Sequence, residues 1–278
     1  MSTAPFVRTI SIDYSDDELD ALASAFSRPD LARRPDRAGG DPIRRAQQQT
    51  ALRGLVARKA IALGGTTARP QITFLDPHAT LLGAYLGAPV LATVRHESAM
   101  GTRAVSLFAH DAVVVHQDAI PGQAVQRMTA HGVDGAPALL AAELRLPASP
   151  GPDDRQPLEV TRRMITGAIE AFEKREPAPD CVPPLAADLL YARISSGSVA
   201  LTSRDRAGVV GAEKWAWIDG GELGTWQVQT DDASPLVRFV PVEGGELADA
   251  ITTAWAAALD AAPLEPAASA SATEDASR

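Results

Sequence analysis

The sequence is poor in cysteine and in aromatic residues. Its 278 residues contain one cysteine and 5% Phe, Trp and Tyr, whereas the hydrophobic content is 45%. A single thiol cannot form a disulfide within the chain, which excludes the class of small disulfide-stapled domains. We also find no signal peptide and no apolar run of membrane-spanning length. We therefore expect a folded, cytoplasmic protein without membrane insertion.

Positive charge is scarce as well. The chain has 26 Lys and Arg residues and 35 Asp and Glu residues, so its formal net charge is −9 at pH 7. Affinity for nucleic acid comes from clustered Lys and Arg, and we therefore expect no nucleic-acid partner. The local exception is an arginine-rich segment over residues 33–45. We interpret it as a solvated loop that leads into a helix.

The common motifs of catalytic and cofactor sites are missing. The glycine pairs at residues 64–65, 220–221 and 244–245 fit neither a dinucleotide-binding nor a phosphate-loop pattern. Ser196-Gly197-Ser198 lacks the second glycine of a nucleophile elbow. Cys181 lies in a proline-rich connector and is interpreted as an inert thiol. We expect no enzyme activity, no catalytic residues and no cofactor.

The histidines do not follow a metal-binding pattern. His110 and His116 are six positions apart, which on one strand separates them by roughly 20 Å, too far for two ligands of one ion. His78 and His96 lie upstream without an HxH or HxxxH spacing. We therefore predict ordinary surface or edge histidines and no metal site.

The N-terminal part predicts a strand, two helices and another strand. Phe6 to Ile12 alternates in a strand-like manner, and Ser15 with Glu18 forms a capping box at the start of a helix. Asp41-Pro42 opens a second helix, which we expect to continue to the glycine pair at 64–65. A strand over residues 71–75 follows.

The remainder shows a similar order of elements twice: a helix, a series of extended runs and a closing helix. We interpret the two passes as a drifted internal duplication with halves at about residues 6–150 and 155–262. An amphipathic helix over residues 158–172 is the predicted joint between them. Residues 263–278 lack any apolar period and are predicted to be a disordered tail. The first pass is predicted to contain a helix at 76–87, strands at 90–95, 104–110 and 113–117, and helices at 121–132 and 138–144. The second pass is predicted to contain a helix at 185–191, strands at 199–203, 209–219, 225–229 and 236–240, and a helix at 245–259.

Three of the four tryptophans lie close together in the second pass. Trp215 and Trp217 alternate onto one face of a predicted strand, and Trp226 lies just across a hairpin turn. Cross-strand aromatic residues often form a core patch. The sharper hypothesis is a partly open aromatic surface that anchors a partner, because Trp is enriched at binding hot spots. Trp215, Trp217 and Trp226 are our candidate partner-binding residues.

Several of these segments, in this order and spacing, resemble the EspG family, the cytoplasmic chaperones associated with the ESX, or type VII, secretion systems of actinobacteria. The resemblance covers most of residues 6 to 260. The matching segments are Ser15 to Leu22, Leu52 to Val56, Leu81 to Val94, Trp215 to Asp219, Val237 to Pro241 and a final amphipathic helix through Leu247 and Leu259.

The resemblance implies an α+β fold: one domain over residues 1–262, with a central, largely antiparallel sheet, flanking helices and a quasi-two-fold relation between two α/β halves. It also implies a protein without catalytic activity that binds a secretion substrate of the PE/PPE type and shields its apolar tip until export. The arginine-rich segment and the Ala/Ser-rich tail depart from the family, so the substrate could be another exported helical protein. The resemblance favours no particular oligomeric state.

Two other classes of function stay open. An enzyme on this fold would need a convergent pocket, and Asp111, His116 and Asp118 are the residues that lie near each other in sequence. A regulatory interaction module would instead use the segment from Arg33 to Arg45 on an acidic surface, with salt-sensitive binding.

Overall fold

The computed structural model describes residues 9–28, 31, 42–66, 69–146, 155–205, 207–231 and 233–264. Three sequence predictions therefore lie wholly or largely outside the described residues: the first residues of the strand from Phe6, the arginines at 33, 34 and 37, and the tail from 265 onward. Arg44 and Arg45 belong to a helix.

Twelve strands and seven α-helices follow one another in the described residues. The strands are β1 (Ser11–Ser15), β2 (Ile61–Thr66), β3 (Arg69–Phe74), β4 (Val90–Ser98), β5 (Gly101–His110), β6 (Val113–Ala119), β7 (Val125–Gly132), β8 (Leu158–Thr161), β9 (Ser195–Arg204), β10 (Val210–Asp219), β11 (Thr225–Thr230) and β12 (Leu236–Pro241). The helices are α1 (Asp16–Ala25), α2 (Pro42–Ala57), α3 (His78–Gly87), α4 (Ala136–Leu144), α5 (Arg162–Lys174), α6 (Pro184–Tyr191) and α7 (Gly244–Ala261).

Ten of the strands form one sheet in the order β1-β7-β6-β5-β4-β9-β10-β11-β12-β8, and β2 and β3 form a separate hairpin. Every paired strand in the ten-stranded sheet runs antiparallel to its neighbour. The strands before residue 150 meet those after it at β4 and β9, where Val94 pairs with Val199. The predicted α+β class, with a largely antiparallel sheet and flanking helices, is confirmed.

Helices pack on both faces of the sheet, and the apolar residues separate into three clusters. The first front cluster lies under α1, α2 and α3 and contains Phe108, Val115 and Met128 of the sheet. The second front cluster lies under α5 and α6 and contains Ile218 and Trp226. On the opposite face, α4 and α7 pack together over the sheet centre in the back cluster. Its sheet residues include Val90, Ala92, Val94, Val105, Leu107, Val114, Val199, Leu201 and Trp217.

The start of α1 is determined locally, as its sequence predicts. The Ser15 hydroxyl accepts a hydrogen bond from the Glu18 amide at 3.2 Å, and the Glu18 carboxylate accepts one from the Ser15 amide at 2.9 Å. Each bond satisfies a backbone donor that the helix itself leaves unpaired. Leu19 and Leu22 then lie fully buried in the first front cluster.

Two predicted helices are wrong in extent or type. Residues 125–132 form strand β7, because Gln126, Met128 and Ala130 are buried at period two and both edges of the strand find pairing partners. Helix α2 ends at Ala57, seven residues before the glycine pair, because the chain turns through a left-handed Lys59 and continues as β2. The apolar spacing of both segments fits a helix locally, and tertiary pairing decides otherwise.

The predicted joint between the halves is also wrong. Residues 158–161 form the edge strand β8, and only the remainder of the segment forms helix α5. Met164, Ile165 and Ala168 of α5 pack in the second front cluster together with α6, within the second half. The halves are joined instead by the β4–β9 ladder, which pairs nine residues on each strand.

Gly197 lies in the middle of this junction. Its register partners are His96 on β4 and Trp217 on β10. A Cβ atom at residue 197 would overlap the Trp217 indole ring, so the absent side chain is the space in which the ring packs. The same ring meets the His96 ring edge-on at 5.5 Å between centroids.

We expect Gly197→Ala to lower the free energy of unfolding by about 2 kcal/mol or more, because the added methyl group forces the buried Trp217 ring out of place. Gly83→Ala is the matched control: it adds a methyl group within α3 where no atom lies within 4 Å, and should stabilise by about 0.5–1 kcal/mol. Urea unfolding of both variants measures the difference. A loss no greater for the first variant than for the second would contradict this packing.

Candidate partner-binding surface

The two front clusters leave a strip of the sheet between them uncovered by either. It consists of the front-facing positions of β5, β4, β9 and β10 that lie between the two clusters, and we call it the trough. None of its residues is fully buried. The trough residues are Thr93, Arg95, Ala104, Ser106, Ser198, Ala200, Thr202, Arg204, Ala212, Lys214 and Ala216.

The dimensions of the trough suit a single α-helix. Four neighbouring strands span roughly 14 Å, and a helix with its side chains is about 10–12 Å wide. Most floor residues are Ala, Ser or Thr, whose short side chains allow a helix backbone to approach the sheet. Thr93 and Ser106 contact each other through their hydroxyls at 3.4 Å, which keeps these groups close to the floor.

Helix α5 and the residues at and just after the end of α6 present apolar side chains at the surface, on the same half as the second front cluster. Phe172 is 56% exposed and its ring lies 5.2 Å from that of Tyr191. Ile169 and Ile194 are also exposed. We call these four residues the apolar shoulder. A shallow groove of about 440 Å³, lined in part by Tyr191, Ile194 and Leu223, lies at one end of it.

The shoulder explains the strong apolar stripe of α5. One part of the stripe, formed by Met164, Ile165 and Ala168, packs inside the second front cluster. The other part, Ile169 and Phe172, faces solvent. Exposed large apolar side chains that cluster in this way mark a surface suited to a partner.

The three tryptophans do not form one surface. Trp226 pairs with Ile218, so its ring points to the front face, whereas Trp215 and Trp217 point to the back. Trp217 and Trp226 are 1% and 0% exposed, which corrects the hypothesis of an open aromatic patch at these two positions. Trp215 is half-buried at the border of the back cluster. The strand register, which the sequence does not reveal, decides which rings share a face.

A polar cluster on the back face holds the end of α4 against the sheet. Arg103 on β5 donates to Asp118 at 2.6 Å and to Glu143 of α4 at 2.5 Å. His116 Nε2 lies 3.3 Å from the other carboxylate oxygen of Glu143. His96 Nε2 lies 3.0 Å from the backbone carbonyl of Glu143. The cluster thus ties three strands to the last turn of one helix.

This cluster contains two of the three residues considered for an enzyme, but not the third. His116 faces Glu143, and Asp118 is paired with Arg103. Asp111 sits in the β5–β6 turn, with a positive φ of 50° and a contact to His110 at 3.1 Å. Along β6 it is roughly 20 Å from Asp118, so the three side chains do not converge.

The remaining sequence candidates are dispersed. Cys181 is exposed, and His78 accepts or donates a 2.7 Å hydrogen bond with the Tyr14 hydroxyl in the first half. Within the described residues, no three His, Cys, Asp or Glu side chains come together as metal ligands, and no helix is long and apolar enough to cross a bilayer. Arg44 lies 3.9 Å from Asp20 at the α1–α2 contact.

Burial affects the protonation of three histidines, one of which belongs to the polar cluster. It lowers the pKa of His96, although the hydrogen bond to the Glu143 carbonyl acts in the opposite direction. Burial also lowers the pKa of His131, whose ring centroid lies 6.2 Å from that of His116, and a charge on His116 lowers it further. His78 has its pKa lowered by burial and by Arg58. All three rings therefore favour the neutral form in the folded protein.

We expect Arg103→Met to lower the free energy of unfolding by about 2–3 kcal/mol, because two partly buried carboxylates lose their common partner. Arg127→Met removes a bidentate pair with Asp13 that is exposed to solvent, and should change stability little. Denaturant unfolding of the two variants compares them directly. Equal losses would show that the cluster adds nothing beyond a surface ion pair.

Stability should fall as pH decreases below about 6.5, because the unfolded chain then binds protons that the folded histidines exclude. The stabilising contribution is fully present above pH 6.5, the ordinary value, and is lost toward the lower pKa values of the folded state. Urea midpoints between about pH 7.5 and 5.5 measure this slope. His96→Asn combined with His131→Asn should reduce the slope and leave the part due to His78, and an unchanged slope in that variant would refute the assignment.

Comparisons with known proteins bear on the fold. No family model matches the sequence, and no curated protein matches it. Among solved structures, it is similar to a chain in the structure of the Mycobacterium tuberculosis type VII secretion system chaperone EspG5 in complex with the PE25-PPE41 dimer. The TM-score is 0.50 at 11% identity, with 91% of this chain and 97% of that chain covered. At this identity the likeness shows a shared fold, and it confirms the EspG resemblance at that level.

Proposed function

We propose that this protein is a non-catalytic, cytoplasmic chaperone of type VII secretion that binds an exported helical protein of the PE/PPE type and keeps it soluble. The observation that carries the proposal is the likeness of the fold to EspG5 over nearly the whole length of both chains. EspG5 was solved in complex with a PE25-PPE41 dimer, and we extend that kind of partner to this chain.

The front face has the physical properties that such a task needs. The trough accepts a helix on a floor of short side chains, and the apolar shoulder offers Phe172 and Ile194, each more than half exposed. A helical partner with an aggregation-prone end can bury apolar surface against both features. The buried tryptophans contribute packing rather than contact surface: Trp226 lies within the second front cluster, and Trp217 lies on the other side of the sheet.

We further propose that residues 1–262 form one domain whose halves are related by a quasi-two-fold axis near the β4–β9 ladder. The support is the strand order: β1-β7-β6-β5-β4 in one direction from the ladder and β8-β12-β11-β10-β9 in the other. Each half also places a helix before its four-stranded meander and another helix after it. In this arrangement the trough lies on the axis.

Purification of the tagged protein from the cytosol of its native host tests the chaperone function. We expect a stoichiometric helical partner with export features, identified by mass spectrometry, that stays bound when salt is raised, because apolar contacts resist screening. Recovery of the protein alone, from cells that express secretion substrates, would refute the proposal.

Ala200→Tyr should abolish capture of that partner, because a phenol ring then stands on the trough floor. Ala200 is only half-buried, so the fold can accommodate the larger group. Ala141→Tyr is the control, since Ala141 is an exposed residue of α4 on the back face. Pull-down of the native partner measures both variants, and circular dichroism verifies that each is folded. Equal capture by both would place the binding site elsewhere.

A further inference from the structure

The trough is basic although the protein is acidic. Arg95, Arg204 and Lys214 are exposed trough residues, whereas the whole chain carries a formal net charge of −9. Among the described front-facing residues of these four strands, the acid beside them is Glu97, which pairs with Arg95 at 2.8 Å on the same strand. The local sign of charge is thus opposite to that of the molecule.

Two of these cations lack an ion-pair partner in the part of the chain that the structure describes. Neither Lys214 nor Arg204 forms an ion pair with any described residue. By contrast Arg103 and Arg127, on the back face, each bind a carboxylate. The unpaired charges are therefore a property of the trough and not of the sheet in general.

The register gives the spacing of the two unpaired cations. Lys214 is opposite Ala200 on β9, and Arg204 lies four residues further along that strand. At about 3.4 Å per residue, their Cα atoms are roughly 14 Å apart along the trough. A helix rises about 1.5 Å and turns about 100° per residue, so residues about eleven positions apart share one face and are separated by roughly 16 Å, which the long Lys and Arg side chains can span.

We propose that the segment held in the trough is an acidic helix, with carboxylates about eleven residues apart on one helix face that point to Lys214 and Arg204, and with small apolar side chains between them. This inference rests on the proposed chaperone function and specifies its partner. The carboxylates neutralise the two cations when the helix excludes water, and they orient the helix along the strands. Apolar contact supplies affinity, and the charges supply specificity.

Nucleic acid fits these observations less well than an acidic helix. Three cations on the strip, one of them already paired, release few counterions, and the net negative charge repels a phosphate backbone. The flat floor of Ala, Ser and Thr also offers no aromatic ring for bases to stack on.

Two labelled synthetic peptides test the inference with the full-length protein. Both are alanine-rich helices of about 16 residues with leucines on one face; on that face one has two glutamates about eleven residues apart, and the other has glutamines at those positions. Fluorescence anisotropy at about 50 mM salt should show roughly tenfold tighter binding of the acidic peptide, and about 300 mM salt should reduce the difference.

Charge reversal identifies the residues responsible. Lys214→Glu combined with Arg204→Glu should remove the preference for the acidic peptide. Arg53→Glu combined with Arg145→Glu changes the net charge equally at exposed residues outside the trough and should leave the preference intact. Equal affinity for both peptides, no binding of either, an equal effect of the two double variants, or tighter binding of a single-stranded RNA would each overturn the inference.

The native partner separates this inference from the function on which it rests. If wild-type protein captures a helical secretion substrate and the trough variant captures it equally well, the chaperone function stands and the acidic-helix inference fails. If wild-type protein captures no partner, the proposed function fails, and the peptide comparison alone decides whether the trough selects carboxylates.

Discussion

The pairing of β4 with β9 is the contact on which the other features of this protein depend. It joins two five-stranded halves into one ten-stranded sheet through nine residue pairs on neighbouring strands. Each strand alone exposes a row of unpaired amide and carbonyl groups, and the ladder satisfies them along its whole length. Because the ladder lies at the centre, anything that packs over it must span both halves.

The two faces of the sheet differ in whether helices from both halves pack over the β4–β9 ladder. On the back face, α4 from the first half and α7 from the second meet over the ladder, and Trp217 and Trp255 fill the core that they share. On the front face, α3 stays with the first half and α6 with the second, so the ladder is left without a described apolar cluster above it. One face of the junction is therefore a core and the other is a candidate docking surface.

The back face also shows how a polar contact can be kept within a core. Arg103 neutralises two carboxylates at once, which offsets the cost of withdrawing them from water, and so the last turn of α4 is held by charge as well as by Leu140 and Leu144. Gly197 contributes in another way. Because it has no side chain, the indole ring of Trp217 can lie flat on the strand next to His96. Both features pack the back of the strands that form the trough floor, and a floor packed from behind needs little ordering when a helix binds.

The local signals of the sequence determined much of the fold, and tertiary pairing decided the rest. The capping box at Ser15 is set by neighbouring residues, and the helices α3, α6 and α7 and the strands β9 to β12 follow from local periodicity and from proline and glycine at their ends. Strand β7 and the early end of α2 do not, because their residues tolerate either structure and distant partners select one. The acidic charge and the lack of a catalytic motif were also properties of the sequence. Which tryptophans share a face, which of the described cations lack an ion pair and which strip of the sheet the two front clusters leave uncovered depend on strand register and on the placement of helices. Those are set by contacts between residues far apart in the chain, so only the tertiary structure could decide them.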